Sequence, residues 1–281
     1  MDINLIKSKL AALNNTGAGD KEKVDYEKVF WKPGVGKHQI RILPSFYNPS
    51  LPFTELKFHY GIGKYPMVAL SNFGKQDPIE EFIKELRKTS DKENWSLAGK
   101  LTPKTRIYAP VIVRGEEAHG VRLWGFGKTV YKALLALAED EDVGDYTDVT
   151  GGFDIIVDIT AGNPYPDTAI RIKPKSTPLS ANTDQVETWL KTQPDPNAVF
   201  TQYDYDFIKR QLMKYLDPDA EDAPATPAAT PVSTVSSTAY VPDFKLETTA
   251  KASNMDWAAE PAPAPAKKDV VSKFDDLFGG E

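Results

Sequence analysis

The sequence predicts an α+β fold, in which a small antiparallel β-barrel with inserted and C-terminal helices is followed by a disordered acidic tail. Short strands of alternating apolar and polar residues lie early in the chain, and helical periodicities are inserted among them and follow them. From residue 219 onward Ala, Pro, Ser and Thr dominate, and a segment of this composition cannot bury a core. We therefore expect residues 21–218 to fold and residues 219–281 to be a disordered linker with an acidic end.

Alternation of apolar and polar residues marks the strands of the folded part. The predicted strands span residues 38–43, 54–60, 105–114, 121–126, 153–159 and 168–173. Pro110 lies inside one of them, which favours an edge or a bulge at that position. Residues 115–120 are suited to a hairpin loop, so we expect the strands on either side of this loop to pair antiparallel.

Helical periodicity predicts the remaining elements. The segment Asp77-Pro78-Ile79-Glu80 is a helix start, because Asp77 suits the N-cap, Pro78 the first helical position and Glu80 the reciprocal capping box. Further helices are expected over residues 129–138, around Val186 and Trp189, and over residues 208–216.

An amphipathic helix is expected at the N-terminus, over residues 2–14. Its apolar stripe consists of Ile6, Leu10 and Leu13. A helix of about 12 residues is marginal in isolation, so it needs a surface to pack against. Periodicity does not decide whether that surface belongs to its own core or to a neighbouring copy.

The net charge of −6 conceals a strongly uneven charge distribution. Residues 219–281 hold 11 acidic and 5 basic residues, whereas residues 31–128 hold 16 basic and 9 acidic residues. A basic segment in the middle of the chain together with an acidic end indicates a nucleic-acid partner and an interaction tail.

Several classes of site are excluded by composition and spacing. The chain contains no cysteine, which excludes disulfides, thiol nucleophiles and Cys-ligated metals. Residues 127–129 end like a phosphate-binding loop, but Val121 and Arg122 stand where the first glycine is required. The three histidines are far apart and lack metal spacing: His38, His59 and His119. Because the phosphate-loop pattern fails and the histidines lack metal spacing, we do not expect an enzyme. No apolar run reaches 18 residues and no signal pattern opens the chain, so we expect neither a membrane nor a secreted protein.

The two strands beside the 115–120 loop carry basic and aromatic residues at alternate positions. We expect antiparallel pairing to bring the following side chains to one face: Arg106, Tyr108, Arg114, Arg122, Trp124 and Phe126. Lys104 and Lys128 flank these strands, and Arg41 could extend the basic track. Cations beside flat side chains are what single-stranded nucleic-acid binding requires. A solvated, salt-bridged sheet face is the alternative explanation of the same pattern.

The last residues combine acidic and large apolar side chains in Phe274-Asp275-Asp276-Leu277-Phe278. Exposed Phe and Leu are unfavourable unless a partner covers them. We therefore expect a partner-binding motif here, with an ordinary solvated tail as the alternative.

Three segments resemble the gene 32 single-stranded DNA-binding (helix-destabilising) protein family of T-even-like bacteriophages. They span residues 39–45, 104–109 and 121–128, and the resemblance covers most of residues 1–218 in order, together with the character of the tail. The family implies an oligonucleotide-binding (OB) fold with a basic cleft.

The resemblance also assigns roles to the ends of the chain. It implies an arm, residues 1–20, that binds the next monomer and makes DNA binding cooperative; Lys7 and Lys9 match the basic-Ser motif of that arm. It further implies that the acidic tail recruits replication and recombination proteins, such as a polymerase, a helicase loader or a recombinase.

Carried over by position, the resemblance implies roles for residues of the cleft. Tyr108 and Trp124 would be cleft aromatics. Phosphate contacts would come from Arg106, Arg114 and Arg122.

The sequence departs from the family at its zinc site. The family usually binds zinc through a histidine and three cysteines, and the positions that match the cysteines hold Met67, Asp77 and Glu80. Helix capping explains Asp77 and Glu80, and a thioether is a poor zinc ligand. We expect residues 60–90 to be a metal-free remnant of the zinc subdomain, with His59 in no ligand role, Tyr65 on a loop that reaches DNA, and no cofactor.

These features predict a non-enzymatic protein that coats single-stranded DNA cooperatively during phage replication, recombination and repair, in the cytoplasm of the infected host cell. An RNA-binding OB protein in translational control is the alternative, because aromatic stacking does not read the sugar. A third possibility is a scaffold whose tail acts while its groove is inert.

Overall fold

The structure is a computed structural model that describes residues 26–163, 165–218 and 268–279. From Glu27 onward, the described residues belong to one compact unit. The predicted helix over residues 2–14, with Lys7 and Lys9, lies outside the described residues, as does the predicted linker over residues 219–267. None of the helices in the described ranges is long and apolar enough to cross a membrane.

Within the described part of the chain, eight strands form one mixed sheet. The strands are β1 (Phe30–Trp31), β2 (Gly36–Ile42), β3 (Thr54–His59), β4 (Met67–Val68), β5 (Lys104–Val113), β6 (Arg122–Phe126), β7 (Phe153–Thr160) and β8 (Asp167–Ser176). Their order is β1-β6-β5-β2-β7-β8, with β3 paired to β5 and β4 paired to β3. The six predicted strands are confirmed to within a few residues. These pairings follow an open path from β1 to β8, so the OB-type barrel stays a prediction.

Strand β5 organises the sheet because it pairs along both edges. One edge pairs with β6, and the other pairs with β2 near Val113 and with β3 near Lys104. Pro110 lies where β2 has ended and β3 has not begun, and its carbonyl accepts a hydrogen bond from Leu43 N–H at 2.9 Å. The missing N–H of this proline therefore faces a gap between strands, which explains how β5 tolerates it.

Eight helices accompany the sheet in the described residues. They are α1 (Tyr26–Val29), α2 (Pro78–Arg87), α3 (Lys92–Leu101), α4 (Lys128–Glu139), α5 (Thr183–Lys191), α6 (Pro196–Val199), α7 (Tyr205–Leu216) and α8 (Lys268–Phe278). The predicted N-cap of α2 is confirmed, since the Asp77 carboxylate accepts hydrogen bonds from Ile79 N–H and Glu80 N–H. The predicted capping-box role of Glu80 is wrong, because its Oε1 accepts a hydrogen bond from Ser71 Oγ. Helix α3 was not predicted from sequence. Its N-cap is Asp91, which accepts a hydrogen bond from Glu93 N–H.

The apolar side chains form separate clusters on the sheet and among the helices. The sheet core contains Ile40, Ile107, Trp124 and Ile155, and α4 packs on it through Leu134. The helical core is built by α2, α3, α7 and α8. Its buried members include Phe82, Leu86, Leu101, Ile208, Leu212 and Phe274. Burial of a large aliphatic or aromatic side chain contributes roughly 1.5–3 kcal/mol.

The prediction that β5 and β6 present their basic and aromatic residues on one face is wrong. Trp124 pairs with Ala109, and Phe126 pairs with Ile107, so both aromatic rings point to the side of the apolar residues of β5. Directly opposed residues share a face, and a shift of one residue exchanges the two faces. Trp124 is 2% exposed and Phe126 is 4% exposed, as members of the sheet core.

Two arginines expected to contact phosphate form part of a buried ionic network. Arg41 is fully buried, and its Nε donates to Asp154 Oδ1 at 2.9 Å. Its Nη2 donates to the carbonyl and hydroxyl oxygens of Thr177, both at 2.7 Å. Arg114 Nη2 donates to the same Asp154 Oδ1 at 3.0 Å, and its Nη1 donates to Leu179 O at 2.8 Å. These contacts hold β2, β5 and β7 to the chain that leads into α5.

The prediction of a disordered tail is wrong for residues 268–278, which form α8. Val270, Phe274 and Leu277 recur at helical spacing, and a helix turns them into one stripe. Val270 is 6% exposed and Phe274 is 5% exposed, against α2 and α7 of the helical core. Of the apolar residues of the predicted partner motif, Phe274 is therefore buried by the protein itself, and Leu277 and Phe278 are half-buried.

Replacing the shared carboxylate tests the buried network. Asp154→Asn should destabilise the protein by about 3–5 kcal/mol, because it leaves the buried Arg41 guanidinium without its counter-charge. The matched control is Asp158→Asn, which removes a partly exposed pair with Lys37 at 3.6 Å and should cost less than about 1 kcal/mol. Urea unfolding midpoints measure both changes. Equal effects of the two substitutions would contradict the role given to Asp154.

Candidate nucleic-acid interface

The face of the sheet opposite Trp124 carries a cluster of aromatic side chains. We define the aromatic patch as Phe30, Phe58, Tyr60, Tyr108 and Phe200. The ring centroid of Tyr108 lies 5.9 Å from that of Phe30 and 5.2 Å from that of Phe200. By the same measure, Phe58 lies 5.0 Å from Phe200 and 6.2 Å from Tyr60. Tyr108 and Phe58 are buried at the centre, whereas Phe30, Tyr60 and Phe200 are half-buried and form the rim.

A glycine makes room for the centre of this patch. Gly125 of β6 pairs with Tyr108 of β5, and a Cβ atom at Gly125 would lie 2.8 Å from Tyr108 Cε1. Any larger residue would therefore push the Tyr108 ring out of place. Burial raises the pKa of Tyr108, the neighbouring Tyr60 raises it further, and the charge of Arg106 opposes both effects. The Tyr108 phenol is accordingly neutral at physiological pH.

Two cations lie beside the aromatic patch because alternate residues of a strand share a face. Lys104, Arg106 and Tyr108 are spaced by two along β5, and Lys104 pairs with Phe58 of the patch. Lys104 is exposed, with its Nζ 6.0 Å from the centroid of the Tyr60 ring. The Arg106 guanidinium is half-buried beside Gly127, where a Cβ would lie 3.6 Å from its Nη1.

This arrangement has the two chemical properties that a single strand needs. Half-buried rings offer flat surfaces for bases, and the cations of Lys104 and Arg106 offer charge to phosphates. Lys104 and Arg106 lie on β5, which is paired along both edges, so the positions of these cations are set before a ligand arrives.

The structure separates the ten predicted contact residues into three groups. Lys104 and Lys128 are exposed. Tyr65, Arg106 and Arg114 are half-buried. The buried residues are Arg41, Tyr108, Arg122, Trp124 and Phe126.

Burial corrects the expected placement of the third group. Arg41 and Trp124 lie inside the protein, so neither side chain faces a groove. Arg122 is 8% exposed, and its Nη2 donates to Glu116 Oε2 at 2.5 Å. Contacts between DNA and the accessible residues stay predictions.

Sequence reasoning missed most of the aromatic patch. Phe58 and Tyr60 are two residues apart in the predicted strand over residues 54–60, so they share one face of it. This spacing could have indicated an aromatic surface. Phe30 and Phe200 reach Tyr108 only through contacts between distant parts of the chain, which leave no local signal in the sequence.

Comparison with known protein families decides the classification. The family model described as gp32 DNA binding protein like matches residues 34–212, which is more than half of the chain. The chain belongs to this family. A search of curated proteins finds no match. The matched residues include Lys104, Arg106 and four of the five residues of the aromatic patch, and membership in the gp32-like family supports single-stranded DNA binding.

The zinc site implied by the resemblance does not fit the residues of this gp32-like chain. His59 Nε2 lies 3.0 Å from Asp77 Oδ2, and both residues are buried. The same oxygen accepts Leu70 N–H at 2.8 Å, while Asp77 Oδ1 accepts the N–H groups at the start of α2. Glu80 Oε1 accepts a hydrogen bond from Ser71 Oγ at 2.6 Å. The described residues contain no group of three His, Cys, Asp or Glu side chains placed to hold a metal ion.

The His59–Asp77 contact joins the elements that a metal would otherwise connect. His59 ends β3, Met67 pairs with it from β4, and Asp77 caps α2. Burial alone would raise the pKa of Asp77, but the hydrogen bond and charge of His59 and the N–H groups of Leu70 and Glu80 lower it below its usual range. The carboxylate is therefore ionised at neutral pH.

The charge on Asp77 should make the stability of the gp32-like core dependent on pH. Because folding lowers the pKa of this carboxyl, its contribution is present at neutral pH and is lost as pH falls below about 4. Asp77→Asn keeps a side chain that can cap α2 but removes the charge, so it should cost roughly 1–3 kcal/mol at pH 7 and weaken the acid dependence. Urea unfolding of both proteins between pH 3 and pH 7 measures this.

The same unfolding experiment, repeated with a chelator, tests the metal-free expectation. The midpoint of the wild-type protein should not change when EDTA is added. A large chelator-induced loss of stability would show that a metal holds this region after all.

Proposed function

We propose that this chain coats single-stranded DNA cooperatively and without strong sequence preference, during replication, recombination and repair of phage DNA in the infected cell. The observation that carries the proposal is the aromatic patch beside Lys104 and Arg106 on one face of the sheet. Family membership supports the choice of single-stranded DNA as the ligand.

Bases stack on the rim of the aromatic patch, and phosphates lie against the cations. Each stacked base is worth roughly 1–3 kcal/mol and every base has a π-face, so this mode of binding tolerates any sequence. Each phosphate contact releases counterions and contributes about −0.7 to the slope of log affinity against log salt. Exposed Lys128, at the start of α4, and Tyr65, with Lys64 Nζ at 5.3 Å from its ring centroid, extend the surface.

The protein needs no zinc for this function. The buried His59–Asp77 hydrogen bond and the Asp77 cap hold β3, β4 and α2 together, which are the elements of the predicted remnant subdomain. A buried carboxylate is tolerated when it is hydrogen-bonded, and the bonds that Asp77 accepts connect these elements.

In this proposal, the packing of α8 on the helical core limits the access of partner proteins to the apolar residues of the tail. Phe274 packs at 5.9 Å from Phe82 of α2, and Phe278 packs at 6.4 Å from Tyr205 of α7. Lys209 Nζ donates to Phe278 O at 3.1 Å, which places a cation at the C-terminal end of the helix. A replication or recombination protein that reads this apolar stripe first has to displace α8 from the helical core.

The acidic face of α8 remains turned to solvent while the apolar face is docked. Asp275 and Asp276 are exposed. Together with the negative charge of residues 219–281, they give the tail the sign needed to compete with DNA for the basic face.

Removing the two cations tests the DNA site. Lys104→Ala combined with Arg106→Ala should weaken binding to oligo-dT at least about 10-fold and make the salt slope less negative by about 1.4. The matched control is Arg171→Ala with Lys173→Ala, an exposed pair with the same spacing on β8. Fluorescence anisotropy of a labelled oligomer at several salt concentrations measures both.

Two outcomes of this titration would contradict the proposal. An equal loss in the control pair would mean that general positive charge, and not this face, binds DNA. Tighter binding of a matched RNA oligomer than of DNA would favour the alternative, an RNA-binding protein in translational control.

Deleting residues 269–281 tests the tail. Binding to oligo-dT should tighten at low salt and approach that of the full chain at high salt, because screening removes the competition. Asp275→Asn with Asp276→Asn keeps the apolar stripe and should produce part of the same tightening. Unchanged affinity after the deletion would rule out competition by the tail.

A further inference from the structure

The loop between β2 and β3 displays large apolar side chains to solvent. We define the aromatic ledge as Phe46 and Tyr47, which are 62% and 44% exposed; nearby Leu51 is 45% exposed. The two rings meet edge to face, with centroids 5.3 Å apart and planes at 80°. An edge-to-face pair leaves broad ring surfaces open to a flat ligand.

A buried glutamine holds the ledge in place. Gln193 is 4% exposed, and its Oε1 accepts Phe46 N–H at 2.8 Å while its Nε2 donates to Pro44 O at 2.8 Å. Tyr47 OH donates to Gln193 O at 3.3 Å. Asn48 Nδ2 closes the loop by donating to Phe53 O at 3.1 Å. The exposed rings therefore sit on a backbone that is fixed by hydrogen bonds.

The loop that carries the ledge is anchored beside the aromatic patch at both ends. The loop leaves β2 where Leu43 N–H bonds to Pro110 O, and it enters β3 where Thr54 pairs with Tyr108. Both ends are thus anchored within two residues of one another on β5, and Tyr108 is the centre of the patch. The chain segment that follows Gln193 reaches the patch as well, since it carries Phe200.

Rigid display of two aromatic rings is unfavourable without a ligand. Exposed apolar surface costs free energy in water, and a flexible loop could fold such rings inward. The hydrogen bonds from Gln193 keep them outward, which is the arrangement of a preorganised binding surface. Of the ligands that could cover flat rings, nucleic-acid bases are favoured here because the loop that carries the ledge is anchored on β5 beside Tyr108, the centre of the patch.

We propose that Phe46 and Tyr47 form an additional base-stacking site that extends the single-stranded DNA track beyond the aromatic patch. This inference rests on the proposed function and adds residues that no family motif assigns. The ledge contributes stacking without phosphate neutralisation, so it acts on affinity and leaves the salt slope to Lys104 and Arg106.

Phe46→Ala combined with Tyr47→Ala in the full chain tests the ledge. Affinity for oligo-dT should fall about 10-fold to 100-fold, with an unchanged salt slope. The matched control is Trp95→Ala on α3, which removes an aromatic ring that is 54% exposed and distant in sequence from the ledge; its affinity should not change. The variant Phe46→Trp with Tyr47→Phe should bind oligo-dT as the wild-type protein does, because both positions keep an aromatic ring.

An oligomer of abasic nucleotides separates stacking from damage to the fold. The wild-type protein and the Phe46→Ala/Tyr47→Ala variant should bind this probe equally, since it offers phosphates but no bases. A loss of affinity for the abasic probe would overturn the ledge as a stacking site. So would unchanged affinity for oligo-dT, or an effect of the variant confined to self-association.

The outcomes for the ledge and for the proposed function are distinguishable. If only Lys104→Ala/Arg106→Ala weakens binding to oligo-dT, the ledge inference fails and the DNA-binding function stands. If neither variant weakens it, both fail.

Discussion

Strand β5 is paired along both edges and buried from Ile107 to Val113, and the register of its pairing decides the role of every residue near it. Its odd-numbered residues join Trp124 and Phe126 in the sheet core, while Lys104, Arg106 and Tyr108 face the opposite side. A shift of β5 by one residue would turn its cations toward the sheet core and its apolar residues toward the opposite face. The candidate interface therefore exists because apolar burial fixes this register.

Charge in this protein is divided between holding the fold and meeting a ligand. Arg41 and Arg114 both donate hydrogen bonds to the buried carboxylate of Asp154. The pKa of Asp154 lies below its usual range because hydrogen bonds from Arg114 and Gln39 outweigh the effect of burial. His59 and Asp77 form a second buried link where the gp32-like resemblance implies a metal. The candidate interface is left with cations at accessible positions, above all Lys104 beside the aromatic rim.

Aromatic side chains are divided in a similar way. The ring of Trp124 is enclosed, whereas the rings of Phe30, Tyr60 and Phe200 are half-buried and those of Phe46 and Tyr47 are exposed. Helix α8 shows the same principle, since it buries Phe274 and exposes Asp275. Partial burial of this kind keeps apolar side chains stable in water while part of their surface stays accessible.

By itself, the sequence determined the α+β class, six of the eight strands in the described residues, the start of α2 at Asp77 and the residues that resemble the gp32-like family, because all of these depend on local spacing. The pairing of Trp124 with Ala109, the burial of Arg41 against Asp154 and the meeting of Phe30 with Phe200 were decided by the tertiary structure. Alternation shows that a strand has two faces but not which face a neighbouring layer will cover. The docking of α8 was also decided by the tertiary structure. Its apolar stripe is visible in the sequence, but the surface of α2 and α7 that covers this stripe is not.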